Sequence, residues 1–69
     1  MKYAVIYTLT ETGWSAYVPD LPGCVAAGTT RSETEHLMVG AISMHLAGMR
    51  EDGDPVPEPS EMGTIEVLP

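Results

Sequence analysis

Few side chains in this chain are suited to catalysis, and they are scattered. Two-metal phosphodiester cleavage needs several carboxylates converging on ions about 3.5–4 Å apart. Asp20 stands in a proline-rich stretch, Glu33 and Glu35 at the start of an expected helix, and Asp52 and Asp54 at its exit. The first strand-like run, residues 2–10, holds no acid. Glu33 and Glu35 are accounted for by helix capping and the helix dipole. His36 and His45 lie nine residues apart on that helix, on opposite faces, and cannot share a metal. His45 falls on the apolar face, where a histidine serves packing or an interface, and a pH-dependent contact is the alternative. Cys24 is the single cysteine and has no neighbouring base to lower its pKa. Trp14, Tyr3, Tyr7 and Tyr17 lack the interleaved Arg and Lys of an RNA-stacking platform and are assigned to the sheet and core. No catalytic, cofactor or metal site is expected, and the chain is read as a non-enzyme; a metal-dependent nuclease is the weakest of the readings kept.

The elements that would carry these residues are legible from period and punctuation. Residues 2–10 (KYAVIYTLT) place Tyr3, Val5, Tyr7 and Leu9 on one strand face and Ala4, Ile6 and Thr8 on the other. Both faces are rather apolar, which predicts a central or doubly covered strand. Glu11-Thr12-Gly13 turns the chain into Trp14–Val18, so the pair reads as a β-hairpin. Val25–Thr29 is a short third strand. Thr30-Arg31-Ser32-Glu33 is a capping-box pattern that opens a helix running to about Arg50 or Glu51, with Gly53 as the stop. Thr64–Leu68 (TIEVL) predicts a last strand after an acidic connector, residues 51–60, in which Pro55, Pro57 and Pro59 alternate and hold an extended path. The fold class is α+β, in the order β-β-β-α-β, as one domain over residues 1–69.

On the helix, Leu37, Met38, Ala41, Ile42, His45 and Met49 share a face, with Val39 and Leu46 on one flank and Met44 on the other. From His36 to Met49 there is no Lys, Arg, Asp or Glu. Small residues on the far side let another backbone approach. Val39, Gly40, Ser43 and Ala47 are therefore the candidate oligomer interface.

Size and charge bound the function. Sixty-nine residues make a small core, and neither disulfides nor a zinc cluster can staple it, so self-association as a homodimer or tetramer is expected. Ten acids against three bases give a net charge of −7, which argues against direct nucleic-acid binding and suits a basic protein partner. No run approaches the roughly 18 apolar residues of a membrane span. With no secretory leader at Met1 and a lone cysteine, a cytoplasmic location is expected.

The segment Pro19-Asp20-Leu21-Pro22-Gly23-Cys24 is the most distinctive in the chain. Each proline fixes its own φ and extends the residue before it. Asp20 can accept backbone N–H groups in an Asx-type turn around Gly23, or present its charge to a partner. All six residues are candidates for a partner surface. Gly13-Trp14-x-Ala16-x-Val18-Pro19-Asp20-Leu21-Pro22-Gly23-Cys24-x-Ala26-x-Gly28-x-Thr30, with Ala41-Ile42, His45-Leu46 and the EDG-x-P-x-P-x-P stretch from Glu51 to Pro59, resembles the HicB-like antitoxin family. That resemblance implies an antiparallel three-stranded meander, a helix packed on it and a final strand, a truncated relative of the RNase H fold. It also implies binding and inhibition of a HicA toxin, a small basic mRNA-cleaving RNase. Longer members add a DNA-binding domain. Because the sequence stops at Pro69, operator binding is not expected of it. The alternative to the antitoxin role is a stand-alone homo-oligomeric structural or regulatory protein without a toxin.

Overall fold

The structure is a computed structural model, and it describes residues 1–68. Three strands, β1 (Ile6–Leu9), β2 (Trp14–Tyr17) and β3 (Val25–Gly28), precede one helix, α1 (Arg31–Glu51). The sheet is antiparallel with order β1-β2-β3. The hairpin turn, the third strand and the helix thus lie where the sequence places them, while β1 is shorter than the expected strand over residues 2–10.

Register explains which side chains meet. Tyr7, Ala16 and Ala26 align across the three strands, as do Leu9, Trp14 and Gly28. These residues form the inner face, and α1 lies over it, against β2 and β3. Ile6, Tyr17 and Val25 align on the outer face, where each is exposed. The core is small: Ala16, Val18, Leu21, Cys24, Met38 and Leu46, flanked by partly buried Tyr3, Val5, Tyr7, Ile42 and Val56. Fully burying Leu21 or Met38 contributes about 1.5–3 kcal/mol each.

The helix is fixed at both ends by local chemistry. Thr30 is extended (φ −126°, ψ 159°) and its hydroxyl accepts the Glu33 N–H at 3.0 Å. The Glu33 carboxylate reaches back to Thr29, accepting its N–H at 3.0 Å and its hydroxyl at 3.2 Å. This is a capping box displaced by one residue from the pattern read in the sequence. Thr34 is fully buried, and its hydroxyl donates to the Thr30 carbonyl at 2.8 Å. At the far end Gly53 (φ 74°) donates to Arg50, and Asp54 donates to Met49 at 2.9 Å, the paired bonds of a Schellman motif.

Three expectations need correction. β1 is an edge strand, not a central one; its apolar outer face is left half open, with Ile6 exposed. Within the helix, Leu46 is buried, whereas Leu37 and Met44 are exposed; the sheet is only wide enough to cover the stripe through Thr34, Met38 and Leu46. Residues 64–68 form no strand. Their pattern suits one, but a strand needs a partner edge, and Ile65, Val67 and Leu68 are exposed.

Candidate protein-interaction site

The Pro19–Cys24 segment is two successive turns. Leu21 N–H donates to the Val18 carbonyl at 3.1 Å, and Cys24 N–H donates to the Leu21 carbonyl at 3.0 Å. In the second turn Pro22 occupies the position that wants φ near −65°, and Gly23 has φ 85°, the positive value that a type II turn requires there. Val18 N–H closes the base of the loop on the Cys24 carbonyl at 3.2 Å. Val18, Leu21 and Cys24 point into the core, so of the six residues expected at a partner surface only Pro19, Pro22 and Gly23 are exposed and Asp20 is half-buried. Burial pushes the Cys24 thiol up from its ordinary pKa, away from the reactive thiolate.

Asp20 does not make the local turn read from the sequence. Its carboxylate accepts two hydrogen bonds from Ser60, 40 residues on: from the N–H at 2.8 Å and from the hydroxyl at 2.6 Å. The hydroxyl bond, then the amide bond, holds the Asp20 carboxyl below the usual carboxylate range. This clasp ties the proline connector to the β2–β3 loop. A second tie comes from Tyr3, whose hydroxyl donates to the Pro57 carbonyl at 2.5 Å. Ser60 carried no signal in the sequence, because its partner is remote.

The remaining charges are dispersed. Arg31 pairs with Glu35 at 3.2 Å and its guanidinium sits 4.1 Å over the Tyr7 ring. The exposed carboxylates run from Glu51, Asp52 and Asp54 at the helix exit along the connector to Glu58 and Glu61. Among the described residues, no group of three or more His, Cys, Asp or Glu is placed to hold a metal ion. His36 is exposed and His45 half-buried, on different flanks of α1. No described helix is long and apolar enough to cross a membrane.

A groove of about 590 Å³ lies between α1 and the end of the β2–β3 loop, where the chain enters β3. Gly23, Cys24 and Val25 form one wall, and Leu37, Gly40 and Met44 the other, with Ala41 and His45 between. The spacing 37, 40, 44 is one helical stripe, one step round from the buried stripe. That second stripe was the signal in the sequence for the groove. Of the candidate oligomer residues, Val39, Gly40, Ser43 and Ala47 are all exposed, and Gly40 alone of them lines this groove.

The family of HicB-like antitoxins of bacterial toxin–antitoxin systems matches residues 3–69. The chain belongs to the HicB-like antitoxin family. It is similar to a protein called Antitoxin HicB 2 from Photorhabdus laumondii, 33% identical over 63 residues that make up 91% of this chain and 45% of that one. An uncharacterised protein of Haemophilus phage HP1, from its rep–hol intergenic region, is 40% identical over 58 residues, 84% of this chain and 44% of the phage protein. The HicB-like chain thus spans less than half the length of these two relatives. It covers 84% of a third, the UPF0150 protein Ta0767 of Thermoplasma acidophilum, at 34% identity over 83% of itself. Among solved structures, a chain of a HicA3 and HicB3 toxin–antitoxin complex superposes with a TM-score of 0.74 at 28% identity, covering 86% of this HicB-like chain and 70% of that one.

Proposed function

We propose that this HicB-like chain is the toxin-binding module of an antitoxin: it holds a small, basic, mRNA-cleaving toxin by protein–protein contact and carries out no reaction itself. The observation that supports this best is the likeness to a chain of a HicA3–HicB3 complex over most of this chain's length. The charge fits the reading. A net charge of −7, with Lys2, Arg31 and Arg50 the only lysine and arginines, gives an acidic surface that steers a basic partner and repels RNA. The nearest thing to a nuclease carboxylate, Asp20, is occupied by Ser60.

The test is direct. Co-expression with the small basic protein encoded beside it is expected to give a co-eluting complex, and adding the purified chain to that protein is expected to stop RNA cleavage. Association should slow by about tenfold between low and high salt, as charge steering is screened. No complex and undiminished cleavage would sink the reading.

A second reading, a stand-alone homo-oligomer without a toxin, is favoured by one observation: Leu37 and Met44 on one flank of α1, and Val39 on the other, are large, apolar and exposed in a stretch with no Lys, Arg, Asp or Glu. It expects an oligomer by light scattering and a viable deletion strain with no released toxicity.

A further inference from the structure

Two features of this chain lack a partner among the described residues. One is the open edge of β3 with the groove beside it. The groove walls carry no Lys, Arg, Asp or Glu, and an added Cβ on Gly40 would meet nothing within 4 Å. A basic toxin would find no acid there, so the occupant this groove fits is apolar. The other feature is segment 64–68. Ile65 and Val67 alternate with Thr64, Glu66 and Leu68, a half-buried strand pattern, yet Ile65, Val67 and Leu68 are 88%, 77% and 88% exposed. The chain is also more extended than a compact one: the radius of gyration is 13.8 Å, against about 11 Å for a compact chain of this length. Segment 64–68 projects from its own domain and touches little of it.

The connector is held beside the residues that lead into β1, where Tyr3 donates to Pro57, and Val56 packs against the core. The groove lies on the β3 side of the sheet. Among the described residues no strand pairs with the outer edge of β3, whose four residues a five-residue segment is long enough to span.

We propose that segment 64–68 of one copy adds as a fourth strand to β3 of a second copy, with Ile65 and Val67 in the groove beside Leu37, Gly40 and Met44. Glu66 then faces solvent. Main-chain hydrogen bonds supply the pairing, and alternate side chains supply the fit, as in other strand additions. The exchange is reciprocal, so it closes as a twofold dimer. This moves the contact from the helix flank through Val39, Ser43 and Ala47 to the flank through Leu37 and Met44. It holds with or without a toxin, so the RNA-protection assay above and the assays here fail independently.

The experiment is light scattering on the full chain, with circular dichroism as the control for folding. Wild type is expected to be a dimer. Ile65→Asp with Val67→Asp, and separately Leu37→Asp, are expected to be monomers of unchanged helix content, because these side chains are exposed in the single chain. Mixing the two variants should recover a dimer, since one keeps its groove and the other its strand. Ala47→Glu should leave the dimer intact. In an equimolar mixture of labelled and unlabelled chains, isotope-filtered NMR should show Ile65 close to Leu37 of the other copy. A dimer that survives the Ile65/Val67 double substitution, or one abolished by Ala47→Glu, would overturn the proposal. So would a monomeric wild type, whether or not its 64–68 amides are protected from exchange.

Discussion

Met38 and Met44 sit in the same helix, six residues apart, and differ completely in what they do. Met38 is 1% exposed and belongs to the core; Met44 is 76% exposed and lines an open groove. The two stripes they mark, Thr34–Met38–Leu46 and Leu37–Gly40–Met44, are nearly equal in apolar character. What separates them is the sheet beneath. Three short strands are wide enough to cover one stripe, so the second is left without a floor of its own. Apolar pattern states what a helix face can bury, and the extent of the opposing layer decides what it does bury.

The largest test of that contrast is truncation. Met38→Ala is expected to cost about 2–5 kcal/mol, whereas Met44→Ala should fall within about 0.5 kcal/mol of wild type for the monomer. A domain of this size has only about 3–10 kcal/mol in total, so Met38→Ala should bring a large loss in urea midpoint. Equal losses would show that the two stripes are equally packed.

Glycines allow a second comparison. A Cβ on Gly28 would meet the Thr34 hydroxyl and the Glu33 carboxylate at 2.8 Å each, with the Thr34 amide at 3.1 Å. Thr34 is fully buried and hydrogen-bonded, so it has no room to yield. Gly28→Ala is expected to cost about 1–3 kcal/mol by overpacking. Gly40→Ala meets open space on an exposed flank and should stabilise the monomer by up to about 1 kcal/mol through helix propensity. Thermal unfolding under monomeric conditions reads both, and the same sign for both would break the contrast.

The smallest effect belongs to the clasp between the two proline segments. Asp20 has its pKa lowered from 3.8 by Ser60. A depressed folded-state pKa means the contribution is present above the unfolded value and is lost as pH falls through the folded one. The Ser60 amide resonance should therefore shift only on acidification below about pH 4, and Asp20→Asn should abolish that shift with little change in neutral-pH stability. A midpoint above the ordinary carboxylate value would contradict the bonding geometry.

The local devices were legible. Thr30, Glu33 and Gly53 declare the helix ends because their partners lie within a turn, and Pro22-Gly23 declares a turn for the same reason. The strand order of the meander followed from short connections. What escaped was whatever depends on remote partners. Asp20 bonds 40 residues away, β1 lies at an edge because of what does not pair with it, and residues 64–68 have strand chemistry but no strand beside them. Choosing between the Leu37 and Leu46 stripes needed the width of the sheet, which no single element encodes.

Cys24 carries a practical consequence. Cys24 is 3% exposed as a residue, lies under the double turn, and is the only cysteine in the chain. Two folded copies cannot join through it without first opening that loop, so an assembly found in air is held by non-covalent contacts. The rate at which the thiol takes up an alkylating reagent becomes a clock for loop opening. It reads, without any added label, how often the hexapeptide lets go of the core.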